Sequence, residues 1–280
     1  MPAIARIFIA LLILSALFWL VEYLFSANPA QKKSRKDLNT DLIYWFITPL
    51  ISKNITRIAI GLLLFAVFQQ DLATIRNYLE HTGTWLSRQP FWLQAIGIVL
   101  TGDFISYWMH RAFHRGWLWD FHAIHHSSVS LDWLSSVRLH PLNDLLMRIP
   151  QVMAILALGF SPAAIAVYAP FLTFYAIMLH ANVNWSFGKF GWLIASPVFH
   201  RWHHTAQKEG LNKNFAGLIP AYDWLFGTYY MPKGRQPEKF GLPDKQVPDG
   251  FFAQMLHPFQ RNKTPQGIIS GNKGDATVRC

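Results

Sequence analysis

From Ala3 to Phe25 the chain is apolar, interrupted by charge only at Arg6 and Glu22. That run exceeds the roughly 20 residues needed to cross a bilayer core. A cleaved leader is the competing reading, but the run is too long for one and lacks an A-x-A-like site. It is read as an anchor helix. The rest of the chain agrees, being 52% hydrophobic and only 14% charged, where a soluble domain carries about 25% charged residues. Lys and Arg outnumber acids by ten, and in a membrane protein such an excess points to anionic lipid headgroups and the cytoplasmic side. Nucleic acid is not expected as a partner, since no basic helix, zinc-finger spacing or RNP-like strand occurs.

Beyond the anchor, QKKSRKD places Lys32, Lys33, Arg35 and Lys36 on a loop that the positive-inside rule makes cytoplasmic. Leu42 to Phe68 is apolar but broken by SKNITR at 52–57. Either an interfacial helix precedes a short span there, or one long helix is interrupted near its cytoplasmic end. Asp71 to Gln89 is a polar connector, fitting the opposite face. Phe91 to Met109 is the next span, and it delivers His110 to its end. Leu145 to Gly159 and Ala163 to Leu179 form a helical pair around Gly159-Phe160-Ser161-Pro162, the second member ending at His180. The fold class expected is an all-α, multi-pass transmembrane helical bundle of about four to five spans. A cytoplasmic helical cap carries the histidine-rich site. The chain divides into membrane anchor helices and connectors (1–89), a histidine-rich region (90–232) and a basic, largely disordered C-terminal tail (233–280).

The only cysteine is Cys280, so neither internal disulfides nor thiolate ligands are available to the fold. Eight of twelve histidines fall in three tight boxes: His110 and His114; His122, His125 and His126; His200, His203 and His204. Residues four apart share a helix face, so His110 and His114 can hold one ion. In each triplet the first and third residues can reach one ion, and the middle one diverges toward a neighbour. Eight nitrogens exceed one octahedral site, so two metals are the economical reading. Imidazole suits Zn, Cu, Fe and Ni alike, and the spacing alone does not choose. The boxes lack the internal Glu of an HExxH protease helix, and a haem would use only two of the histidines.

The sequence resembles the fatty acid hydroxylase/sterol desaturase superfamily of integral membrane di-iron oxygenases. The matching pieces are DFISYWMHRAFH at 103–114, LWDFHAIHHSS at 118–128, WLSSVRLHP at 133–141, HANVNW at 180–185, HRWHH at 200–204 and NFAGLIPAYDWLFGTYY at 214–230. They occur in the family's order across roughly residues 90 to 232. The resemblance implies that the eight box histidines are di-metal ligands, with His180 an additional one and His140 a possible further one. His81 and His257 read as ordinary surface histidines. Asp103, Asn182, Asn214 and Asp223 are expected to orient imidazoles, since a metal-bound histidine usually donates its other N–H to a carboxylate or carbonyl. No catalytic residue is expected beyond the ligands. Trp108, Phe113, Trp117, Trp119, Phe121 and Trp202 interleave with them, and core packing or interfacial anchoring is the expected duty of each.

The implied chemistry is hydroxylation or desaturation of a lipid C–H bond, in a fatty acyl chain or a sterol, with two iron ions and O2 as co-substrate. Zinc is an alternative occupant in isolated protein. The chain holds no Rossmann, flavin or haem-domain signature, so two electrons must come from a separate cytochrome b5-, ferredoxin- or reductase-like donor, or from a pterin. Two other classes fit the same residues: a zinc-dependent membrane hydrolase, which needs a nearby carboxylate base, and a non-catalytic membrane metal-binding protein.

Overall fold

A backbone surrounded by lipid must satisfy its own hydrogen bonds, which long helices do. The computed structural model describes residues 1–71, 73–75, 77, 83–242 and 246–260, and these contain helices and no strand. Ten α-helices can be numbered among them. They are α1 (Ala3–Leu24), α2 (Leu38–Ile47), α3 (Lys53–Phe68), α4 (Phe91–Phe113), α5 (Trp119–His126), α6 (Pro141–Ala157), α7 (Pro162–His180), α8 (Pro197–His203), α9 (Ala221–Leu225) and α10 (Phe251–Leu256).

Three stretches are long and apolar enough to cross a membrane: Ala3–Leu24, the 29-residue Leu38–Ala66 and Pro162–His180. The second joins α2 to α3 through a π-helical turn at Thr48–Ser52. Pro49 lacks the N–H that the regular ladder needs there. Of the two readings of this region, the single interrupted helix is therefore the one formed. α4 has 23 residues but carries Gln94, Asp103, His110 and Arg111. α6 has only 17, with Asn143, Asp144 and Arg148 along it. Much of α1 presents apolar side chains outward, including Phe8, Leu12, Ile13, Trp19 and Leu20, as a lipid-facing helix does.

Three helices begin with proline at the first helical position behind a side chain that accepts a backbone N–H. His140 caps α6, Ser161 caps α7 and Ser196 caps α8. Proline's fixed φ suits that position, and the cap satisfies one of the free N–H groups. The α6–α7 turn needs Gly159 at φ +85, and a Cβ there would collide with Thr84, whose hydroxyl donates to the Gly159 carbonyl at 2.7 Å.

The basic loop after α1 is less free than its charges imply. Lys33 pairs with buried Glu22, Lys36 pairs with Asp249, and Arg35 is buried between Asp41 and Asp132. Asp41 also accepts from Arg138 Nε at 2.6 Å. The segment after 232 departs from the expected loose tail as well. Val247 and Phe251 pack with Tyr44, Ala123 and Ile124, and the Tyr44 hydroxyl donates to Gln254. The short FFAQML run turns Phe251 and Gln254 inward, which is enough to dock α10. His257, expected at the surface, is buried. Residues 261–280 and His81 lie outside the described residues.

Candidate metal centre

The three boxes and His180 converge from four helices. His110 occupies the last turn of α4 and His114 caps its end. α5 carries His122, His125 and His126, α7 ends on His180, and α8 with its cap residue carries His200, His203 and His204. They sort into two adjoining groups. His110, His114, His122, His126 and His203 form one, and His125, His180, His200 and His204 form the other, with the possible ligand atoms of each group within 4.8 Å of one another. The triplets divide as their spacing predicts, the middle residue of each crossing to the other group. The groups share a wall, where the His126 and His204 rings stack at 4.3 Å.

The ring nitrogens have a consistent orientation. His110 Nδ1 lies 2.8 Å from the Phe215 carbonyl, His125 Nδ1 3.2 Å from that of Arg138, His180 Nδ1 2.8 Å from that of Ala176, and His203 Nδ1 2.8 Å from that of Lys213. A carbonyl only accepts, so each of these Nδ1 atoms carries the proton and the opposite Nε2 exposes a lone pair. His122 Nδ1 faces Asn143 Oδ1 at 3.0 Å and His114 Nδ1 faces Asn212 Oδ1 at 3.2 Å. The Nε2 atoms then turn toward each other: 3.0 Å from His110 to His122, 3.2 Å from His126 to His122, and 3.1 Å along His125, His180, His200 and His204 in turn. His114 Nε2 and His203 Nε2 are buried without a hydrogen-bond partner.

Two lone pairs at such a distance repel unless a cation lies between them. Metal–nitrogen bonds of about 2.1 Å set neighbouring ligands at right angles roughly 3.0 Å apart, which is the spacing built here. The donor set therefore fits a pair of metal ions. Burial also pushes the pKa values of His114, His122, His125, His126, His200, His203 and His204 well below the ordinary imidazole value, and neighbouring imidazoles add to the shift. At neutral pH these rings are uncharged, as ligation requires.

The four polar residues expected to orient imidazoles bond elsewhere. Asp103 accepts from the backbone N–H groups of Gly217, Leu218 and Ile219, and Asp223 from those of Phe215 and Ala216. Asn214, at φ +59, donates to the Phe199 and Tyr230 carbonyls. Together they fix a strap, residues 212–219, that presents Asn212 Oδ1 and the Lys213 and Phe215 carbonyls to His114, His203 and His110. Their influence on the rings passes through the backbone. Asn182 is bound to the end of α1: Glu22 accepts its N–H, and its side chain exchanges hydrogen bonds with Ser26 and Asn28. The direct side-chain partners are Asn143 and Asn212, neither of which is among the residues expected from the sequence. A short polar residue inside or beside a motif was the only signal they offered.

His140 belongs to neither group. Its Nδ1 accepts the Leu142 N–H as the cap of α6, and its Nε2 faces the Met255 carbonyl at 3.3 Å, so both nitrogens are engaged. Phe113, Phe121 and Trp202 are buried in the core, whereas Trp108 and Trp117 are exposed. Trp119 packs against His114 and His126.

The fatty acid hydroxylase family profile matches residues 95–228, enclosing every box. An ornithine lipid hydroxylase of Rhizobium tropici is 30% identical over 183 residues, which is 65% of this chain and 55% of that protein. An alkylglycerol monooxygenase of Xenopus tropicalis is 28% identical over 56% of this chain and 34% of its own length. A very-long-chain aldehyde decarbonylase of Oryza sativa is 30% identical over 50% of this chain and 25% of its own. The matched stretch thus spans about half or less of each relative. No solved structure matches the chain.

Proposed function

This chain belongs to the fatty acid hydroxylase/sterol desaturase superfamily, and on that premise we propose that it is a membrane-bound, O2-dependent oxygenase acting on a lipid C–H bond. The observation that carries the reading is the convergence of bare Nε2 atoms into two adjoining all-histidine groups. His110, His114, His122, His126 and His203 would hold one ion, and His125, His180, His200 and His204 the other. Two iron ions held there supply activation of O2 toward an unreactive C–H bond, which hydroxylation or desaturation of a fatty acyl chain or sterol requires.

The protein's own residues do the rest. Carbonyls of Phe215, Lys213, Arg138 and Ala176 lock His110, His203, His125 and His180 each in one tautomer and aim the Nε2 inward. Phe215, Trp119 and Phe113 pack apolar rings against His114 and His122, which would limit water around those two ligands. Inserting one atom of O2 and reducing the other to water consumes two electrons and two protons. A separate cytochrome b5-, ferredoxin- or reductase-like donor, or a pterin, would deliver the electrons.

α4 serves as a further crossing. Phe91, Trp92, Ile96, Leu100, Phe104 and Trp108 leave an apolar row exposed along it. Counting crossings from the Lys32–Lys36 loop puts the histidine centre on the cytoplasmic side. The hydrolytic alternative gains no support, because both groups consist of histidine alone among the described residues, and Asp103 and Asp223 are committed to backbone N–H groups. Metal analysis of protein purified from membranes, paired with an oxygen electrode, tests the proposal. The expected result is two irons per chain and O2 uptake that depends on lipid and an electron donor. Stoichiometric zinc with no O2 uptake would favour hydrolysis instead.

A further inference from the structure

The histidine centre does not use the surface opening beside it. The last turn of α4 and the turn that follows enclose an open pocket of about 460 Å³, lined chiefly by Trp108, Arg111, Arg115, Gly116 and Trp117. Arg111 and Arg115 are among its lining residues and no carboxylate is, while the surface that faces the opening is mainly apolar. Arg111 is held in place: its Nη1 donates to the Tyr107 hydroxyl at 3.0 Å, and its Cζ lies 5.6 Å from the centre of the Trp108 ring. A planar fork already fixed loses little further freedom when it meets an oxyanion. Arg115 is exposed and makes no ion pair among the described residues. Gly116, at φ +55, turns the chain through a conformation that side chains disfavour, with nothing within 4 Å of where a Cβ would stand. That turn returns Trp117 to the rim of the pocket, where it is 66% exposed.

The placement narrows the ligand. The pocket sits where the exposed apolar row of α4 ends, with two tryptophans beside two arginines. Tryptophan prefers the boundary between acyl chains and water, and cations there attract anionic headgroups. We propose that this pocket binds the phosphate of an anionic bilayer lipid, holding it over the helix end that supplies His110 and His114. The inference rests on α4 crossing the membrane. It does not depend on the identity of the metal or on turnover.

The test is native mass spectrometry of the full chain released from nanodiscs containing equal phosphatidylglycerol and phosphatidylcholine with matched acyl chains. Phosphatidylglycerol should be retained preferentially. Arg115→Gln should weaken that retention about fivefold, the effect of one interfacial cation, with metal content and melting temperature unchanged. Trp117→Ala should weaken it too. Equal retention of the two lipids, or retention indifferent to Arg115→Gln, overturns the proposal. Inorganic phosphate binding to the delipidated protein as tightly as the lipid does would assign the pocket to free phosphate and overturn the lipid assignment. A Leu100→Cys variant in a Cys280→Ser background separates the underlying reading. Labelling of intact membranes by an impermeant maleimide would show that α4 does not cross, whatever the lipid result.

Discussion

Imidazoles are usually satisfied by one donor and one acceptor, and His140 is such a residue, closed on Leu142 and Met255. His203 differs: the Lys213 carbonyl takes its Nδ1 proton, and its Nε2 is buried with nothing to bond. An unpaired polar atom in a buried site carries a desolvation penalty of about 1–3 kcal/mol, and an ion removes it. His203→Ala is therefore expected to lose about one of the two metal equivalents. His140→Ala should keep both and lose only a helix cap worth about 1 kcal/mol. Inductively coupled plasma measurement of metal per chain, alongside melting temperature, distinguishes them, and equal metal loss in both would sink the ligand assignment. Asp103 offers a subtler case. Its carboxylate holds three successive N–H groups of the strap, and the same strap aims His110 through the Phe215 carbonyl. Asp103→Ala should lower metal affinity roughly 10–100-fold, as removal of an outer-shell partner does. A chelator-competition titration reads it, and Asp103→Asn should fall between the variant and the parent.

Among the elements, the two shortest site helices depend most on neighbours. α5 has eight residues and α8 seven, lengths at which an isolated helix does not persist in water. α5 is secured from outside its own sequence: Asp41 of α2 binds Arg138 and Arg35, and the Arg138 carbonyl receives His125 Nδ1. Removing one partner of a buried ion network costs about 3–5 kcal/mol. Asp41→Ala should accordingly destabilise the protein by that order and loosen metal at the His125 group before the other. Denaturant unfolding in detergent with metal release followed in parallel would show it, and simultaneous loss from both groups would contradict it. The division of the HxxHH triplets was legible because helical geometry alone fixes which nitrogens share a face. The partners of the rings were not, since four of them are backbone carbonyls, which leave no trace in residue identity. Asp103 and Asp223 looked like imidazole partners because acids near histidines usually are. Their real contacts depend on a strap more than one hundred residues beyond Asp103, folded through two left-handed asparagines, Asn212 and Asn214. The docking of α10 was hidden for a related reason: six residues among prolines and glycines carry too weak a periodicity to announce a packed helix.

For the molecule as a whole, nine imidazoles in one buried cluster tie stability to protons. Seven of them, His114, His122, His125, His126, His200, His203 and His204, are held below their ordinary pKa mainly by burial. In the unfolded chain the same groups would titrate near 6.5. As pH falls through that value the unfolded state takes up protons that the folded state refuses, so stability declines with decreasing pH. Above roughly pH 7 both states are neutral and these groups contribute no slope. Metal binding has the same sign, because a proton and an ion compete for each Nε2. Lowering the pH from about 8 to about 5 should therefore release metal and depress the melting temperature together, with most of the change below about 6.5. The loss should be steeper than a single histidine produces, since several protons enter at once. Metal-free protein should retain the slope in stability, because burial alone generates it. A melting temperature of the metal-free protein that is flat across this range would mean that the cluster is open to water, and the closed, apolar surroundings assigned to the centre would be wrong.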